Sequence, residues 1–223
     1  MERLLKVGER LDDLQCDGLM LIQNPQYYTF TSDAVLLANY EKYRGKVCEL
    51  CAGSGVISLL VSKKCKVEHI DAVEIQPEMA DMARRSVEGN GMDGVISVIE
   101  ADVKDAPGIL GVEKYDAILV NPPYMKAGSG EENETRSRAI ARHEILLTFE
   151  ELSCVLTKML KFGGAAYIVH RADRVAELIA GLSRVRLETK RLTFVGARGG
   201  IDRVIIKAVK GGKPGVKVEW REV

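Results

Sequence analysis

The apolar run "YDAILV" ends at Asn121, Pro122, Pro123 and Tyr124, four uncharged residues whose types suit one kind of chemistry. Neither proline has an N–H, and each biases its predecessor toward extended backbone, so the turn is rigid and, at the prolines, rich in acceptors only. The Asn121 side-chain oxygen and a backbone carbonyl aimed at one point suit a ligand with two N–H donors, and an exocyclic amine is such a ligand. Tyr124 adds a face on which the flat ring bearing that amine can stack, worth roughly 1–3 kcal/mol per base. An aromatic amine is a weak nucleophile because its lone pair is delocalised into the ring. Two acceptors that hold its protons out of the plane turn the lone pair toward an electrophile, and the product nitrogen sheds a proton readily. Such a site works by positioning and electrostatics and needs no ionised base of its own.

A second group of residues points to the source of the electrophile. "VCELCAGSGVISLLVSKK" reads as a strand, a glycine turn and a helix. Gly53 and Gly55 permit a tight turn and close backbone approach to a ligand. Ser58 stands where the third glycine of a dinucleotide fingerprint would fall, which argues against a pyrophosphate ligand. Glu49 precedes the turn, Glu74 ends the next strand, Asp102 follows the third in "EADV", and Asp33 lies upstream in "FTSDAVLLA". Each acid alone reads equally as a solvated strand or helix end. Four of them at successive strand ends form a cleft that repels pyrophosphate and suits a nucleoside bearing positive charge. S-adenosylmethionine, with its ribose, amino group and sulfonium, is such a ligand. The expected cofactor-binding set is Asp33, Glu49, Cys51, Gly53, Gly55, Glu74, Ile75, Asp102, Val103 and Asn121, with Glu74 placed to accept from ribose hydroxyls. "CELC" resembles a redox pair or half a zinc site, but residues three apart in a strand face opposite ways and no second pair completes a zinc site. No metal is expected.

The elements that must position these residues alternate between short apolar runs and helical patterns, the mark of an α/β fold with a mainly parallel sheet. Seven strands are predicted, at 46–50, 68–75, 95–100, 115–120, 165–170, 186–195 and 203–209. The last two, joined by "GARGGID", form an antiparallel hairpin that closes the sheet. "PEMADMARRSVEGN" opens a helix with Pro77 at its first position, and Ile145, Phe149, Leu152, Leu156 and Met159 recur at helical spacing before Gly163. Helices therefore cover both faces. Residues 124–142 and the tail "KGGKPGVKVEW" fit no element. A loop of the first length beside the proposed site favours function over mere connection.

With 223 residues, 46% of them hydrophobic, the chain suits one domain. The expected division is an N-terminal strand and helix extension over 1–45 that covers the cofactor site, and a core over 46–223. No run is long enough to cross a membrane and the N-terminus is charged throughout, so a cytoplasmic protein is expected. Five cysteines, an odd number, fit reduced thiols. A net charge of zero argues against indiscriminate coating of nucleic acid. The distribution is uneven: residues 66–116 hold twelve acids against five bases, and residues 184–217 ten bases against two acids. The basic run reads either as a solvated surface or as a face for a phosphate backbone.

Together these motifs resemble the class I S-adenosylmethionine-dependent methyltransferases that act on amino nitrogens. More closely, the chain resembles the tRNA1(Val) adenine-37 N6-methyltransferase family, through "NPPY", the glycine turn, "FTSDAVLLA", "AVEIQPEMADMARRSVEGN", "AIARHE" and "VHRADR". The resemblance implies a Rossmann-like fold, methylation of adenine N6 beside the anticodon, and a tRNA substrate. It places Asn121, Pro122 and Tyr124 at the base, with Pro123 completing the catalytic motif, and Glu49, Gly53, Glu74 and Asp102 around the cofactor. Arg142 and His143, near the proposed pocket, are candidates for substrate contact, and a structural hydrogen bond serves equally for His143; His170 reads as structural. Two alternatives stay open. An N5-glutamine protein methyltransferase also presents an NH2 group to Asn-Pro-Pro-Tyr, though such enzymes usually carry an additional N-terminal domain. A catalytically silent RNA-binding module of the same fold is the other.

Overall fold

The computed structural model describes residues 1–122, 147–197 and 200–222. Pro123, Tyr124, Arg142, His143 and Ile145, and the loop read over 124–142, lie outside the described residues. The main sheet is built from β3 (Arg44–Leu50), β4 (Lys66–Glu74), β5 (Ile96–Glu100), β6 (Tyr115–Val120), β7 (Leu160–Arg171), β8 (Leu187–Ala197), β9 (Gly200–Lys210) and β10 (Lys217–Glu222). Their order is β10-β8-β9-β7-β6-β3-β4-β5. Every pairing is parallel except the two made by β9, which runs antiparallel to β7 and to β8.

The sheet thus has eight strands where seven were expected. The eighth, β10, comes from the tail that fitted no element. It runs parallel to the outer side of β8, pairing Lys217 with Arg191 and Trp220 with Phe194. All but one of its residues are exposed, so it has no buried face to write an alternating pattern into the sequence. A separate hairpin of β1 (Arg10–Asp13) and β2 (Met20–Gln23) was missed for its brevity.

Alternate residues of the central strands face two layers. Ala117 and Leu119 of β6 join the layer formed with α1 (Ser32–Ala38) and α2 (Val56–Lys64). Ile118 and Val120 join the opposite one, with α4 (Ala106–Leu110), α5 (Phe149–Met159) and α6 (Val175–Arg184). α3 (Pro77–Gly89) begins with Pro77, whose missing N–H costs nothing there, and buries Met79, Met82, Ala83, Ser86 and Val87 on one stripe. α5 starts at a capping box in which Glu151 N–H donates to Thr148 Oγ1 at 3.3 Å and Thr148 N–H donates to Glu151 Oε2 at 2.8 Å.

The hairpin docks on α3. Ile22 N–H donates to Ser86 Oγ at 2.9 Å, and the Asn90 side chain accepts from Met20 N–H and donates to Met20 O. Ile22 packs there on Met79 and Met82, and trimming either methionine to alanine would cost roughly 2–5 kcal/mol. Register brings the carboxyl ends of the strands into line: Leu50 pairs with Val73 on one side and Val120 on the other, and Glu74 with Glu100. Asn121 and Glu74 therefore follow on either side of Cys51. The lower end of β6 is pinned by Tyr115, whose hydroxyl donates to buried Asp71 of β4 at 2.6 Å across the intervening strand.

Candidate active site

A cleft of about 880 Å³, open to solvent at its mouth, lies over these strand ends. Of the residues expected around a cofactor, Glu49, Cys51, Gly53 and Glu74 line it, as do Ile75, Asp102, Val103 and Asn121. Tyr28, Phe30, Ala34, Ser54, Gln76 and Leu147 also line it and were not singled out from sequence. Phe30 and Ala34 lie within or beside "FTSDAVLLA", a run recognised as a motif but read only for its acid.

Two expected residues are elsewhere. Asp33 is buried and accepts from Arg203 Nε at 2.9 Å, so its charge is met by β9 and it does not line the cleft. Gly55 also stands back from the cleft. It caps α2 with φ 85°, and a Cβ on it would sit 3.2 Å from the Ala83 Cβ of α3. A left-handed turn and close helix packing therefore explain Gly55, and approach to a ligand does not. Gly53 has φ 56° and ordinary space beyond it, so conformation alone favours glycine there. Cys51 adopts φ 58° without that freedom, and such a backbone costs of order 1–3 kcal/mol. The same twist places it past the end of β3, so Cys51 and Cys48 border one core layer and do not face opposite ways as a continuous strand would have them. All five cysteines are free.

Glu49 is buried in the cleft wall, and its Oε2 accepts from Ser58 N–H at 2.8 Å and from Ser58 Oγ. Burial pushes its carboxyl up to about 8 against the opposing pull of the Ser58 donors, with the Glu74 charge adding to the rise. Glu74 is also buried and its carboxyl is raised by desolvation, offset by N–H donors. Gly53 N–H reaches Glu74 Oε2 at 2.8 Å and Gln76 N–H reaches Oε1 at 2.9 Å. Glu74 thus fixes the glycine turn while its carboxylate keeps capacity for a further donor. Asp102 Oδ1 accepts from Lys104 N–H at 2.9 Å and caps the single turn Val103–Asp105.

This lining fits the cofactor read from sequence. It presents three carboxylates and, among the described residues, no Lys or Arg, with Ile75, Val103 and Leu147 as apolar wall. Such a donor and acceptor set suits a cationic nucleoside and would oppose a pyrophosphate. Among the described residues no group of three or more His, Cys, Asp or Glu is arranged to hold a metal. His170 is buried, accepts from Arg171 N–H on Nδ1 at 2.8 Å, and is held down to about 4 by burial, so it is neutral near pH 7. Much of the basic run is already paired. Arg191 and Lys207 share Glu41, Lys210 meets Glu113 at 3.0 Å, and Lys217 meets Glu219 at 2.7 Å. Among the described residues no helix is long and apolar enough to cross a membrane.

Known proteins agree with this geometry. A tRNA1(Val) (adenine(37)-N6)-methyltransferase of Shewanella amazonensis is 32% identical over 186 residues, covering 82% of this chain and 78% of the relative. A release factor glutamine methyltransferase of Clostridium acetobutylicum is 26% identical over 210 residues, covering 90% and 71%. Among solved structures, a predicted O-methyltransferase of Agrobacterium tumefaciens superposes with TM-score 0.64 at 26% identity, covering 85% of each chain. TYW2 of M. jannaschii, solved with AdoMet, shares the fold at TM-score 0.63 and 13% identity, covering 92% of this chain and 86% of that one. The methyltransferase small domain model matches residues 31–177, which span the glycine turn, all three cleft carboxylates and Asn121. The chain belongs to that methyltransferase family, whose members draw their methyl group from S-adenosylmethionine.

Proposed function

We propose that this chain methylates the exocyclic N6 of an adenine in RNA, with adenine 37 of a tRNA, beside the anticodon, as its target. The observation that carries the reading is Asn121, an uncharged acceptor at the end of β6 that shares the cleft with Glu49, Glu74 and Asp102. S-adenosylmethionine supplies an electrophilic methyl group when bound. The Glu74 and Asp102 carboxylates accept from ribose and amino donors, and residues 1–45 cover that end of the cleft through Tyr28 and Phe30. Asn121 and the backbone at Pro122 hold the two N–H groups of the amine, so that its lone pair faces the cofactor end. Held there, the amine would take the methyl group that the bound cofactor would supply, the thioether would be the leaving group, and the proton lost from N6 would pass to solvent. Pro123 and Tyr124 complete the motif, with Tyr124 as the stacking face and Arg142 and His143 as substrate contacts. A stacked base must leave its neighbours to reach such a face. Work on tRNA also implies a cytoplasmic protein.

The relative named for glutamine methylation supports a second reading, since a glutamine amide presents the same two donors to Asn121. One experiment separates the two. The protein is incubated with S-adenosylmethionine and either unmodified tRNA or a purified release factor, and the products are analysed by mass spectrometry. N6-methyladenosine in tRNA is the expected result. N5-methylglutamine with no RNA product would replace this reading with the second, and cofactor binding without transfer to either would favour a silent RNA-binding module.

A further inference from the structure

Gln23, at the end of β2, is 1% exposed and touches none of the cleft space itself. Its amide nevertheless meets three separate parts of the molecule. Phe30 N–H can only donate and the Asp12 carboxylate can only accept, so the amide oxygen faces Phe30 at 3.0 Å and the nitrogen faces Asp12 Oδ2 at 2.8 Å. In that orientation the oxygen also accepts from Ser54 Oγ at 3.2 Å. Phe30 and Ser54 both line the cleft, Phe30 ahead of α1 and Ser54 in the glycine turn. Asp12 is held in turn by Arg10, through Nε at 2.8 Å and a second contact at 3.1 Å.

From this geometry we infer that Gln23 is a positioning residue for the cofactor site, whose amide fixes the Tyr28–Phe30 wall at a set distance from the glycine turn. The inference rests on the reading of the cleft as the S-adenosylmethionine site. Its physical basis is that one buried amide oxygen serves two donors, one on the wall and one on the turn. Moving either partner strands a buried polar group, which makes intermediate positions unfavourable. The hairpin is thereby more than a support for α3, because its second strand carries the contact that ties the Phe30 segment to the glycine turn.

Three variants test this. Gln23→Leu keeps the bulk and removes every hydrogen bond. Gln23→Glu sets a second carboxylate against Asp12, and the double variant Asp12→Asn with Gln23→Glu restores a donor facing an acceptor with the total charge unchanged. Binding of S-adenosylhomocysteine is measured by calorimetry, hydrogen exchange reports the Phe30 amide, and circular dichroism confirms folding. Gln23→Leu and Gln23→Glu should bind about tenfold more weakly or worse, with faster exchange at Phe30, and the double variant should recover most of the affinity. A merely structural role would lower the melting temperature of all three without the rescue in affinity. Wild-type affinity in folded Gln23→Leu, or no rescue in a folded double variant, overturns the inference. A wild-type protein that binds no S-adenosylhomocysteine would instead overturn the reading of the cleft.

Discussion

Glu49 offers the sharpest test of the site's electrostatics. Its carboxyl rises from an ordinary 4.5 to about 8 because burial penalises the charged form more than the two Ser58 donors favour it. In the folded protein Glu49 therefore holds a proton that it loses on unfolding at neutral pH. Where the folded state binds more protons, stability falls as pH rises. The contribution of Glu49 is fully present below about pH 4.5 and is lost progressively up to about pH 8. At 1.36 kcal/mol per pH unit for one proton, the window from 4.5 to about 8 amounts to on the order of 5 kcal/mol. Glu49→Gln removes the titration and keeps the geometry. A glutamine oxygen in the place of Glu49 Oε2 can accept from both Ser58 N–H and the Ser58 hydroxyl. Urea unfolding of both proteins at about pH 5.5 and about pH 8 gives the comparison, and titrations common to both cancel. The wild type should lose about 3 kcal/mol more than Glu49→Gln between those conditions. Parallel pH profiles would show that Glu49 titrates alike in the folded and unfolded chain, which would refute the assignment of a buried neutral acid.

Asn121→Ala should lower turnover by about 10²-fold or more while S-adenosylhomocysteine affinity stays near wild type, and full activity would sink the proposed role of its side chain. Glu74→Ala should weaken cofactor binding in calorimetry and also destabilise the protein by about 1–3 kcal/mol, since Gly53 and Gln76 N–H lose their acceptor; unchanged affinity would remove it from the ribose role. Arg191→Glu should lower the melting temperature, because Arg191 is paired with Glu41 and stacks 4.6 Å from the centre of the Tyr40 ring, and should leave the salt dependence of RNA binding unaltered. A flattened salt slope would return Arg191 to the RNA face. At pH 7 cofactor binding should release more protons from the wild type than from Glu49→Gln, as read by calorimetry in buffers of different ionisation enthalpy; equal release would place the proton elsewhere.

What the sequence made legible follows from what each residue's surroundings require. "AILV" is buried on both faces, so its apolar run marked the body of β6, and Pro77 marked the start of α3 for a purely local reason. β10 was invisible because an exposed edge strand carries no such pattern. Asp33 was misplaced because its partner, Arg203, lies 170 residues away in sequence, and no local pattern reports a pair of that separation. Gly55 was read as ligand contact when the nearest obstacle to a side chain there is Ala83 of α3, again a tertiary fact. Gln23 shows the same limit, since nothing near "LIQN" indicates that its amide meets Ser54 and Phe30.

Charge was the feature for which counting residues misled most. A polyanionic substrate brought to a cleft with three carboxylates should be repelled, since two unit charges 4 Å apart interact by about 4 kcal/mol at an effective dielectric of 20. Burial changes that balance. Glu49 is protonated at neutral pH and Glu74 is raised in the same direction, so the cleft carries less negative charge than its residues suggest. A cation entering the cleft favours the ionised forms, so the carboxylate charge develops together with the positive charge that offsets it. The basic run behaves alike in the opposite sense, because Glu41, Glu113 and Glu219 meet its lysines and arginines. Part of the basic segment is thus balanced in place by carboxylates. The field that an RNA meets near Asn121 is weaker than either segment implies, which suits a site that selects an uncharged amine by its hydrogen bonds.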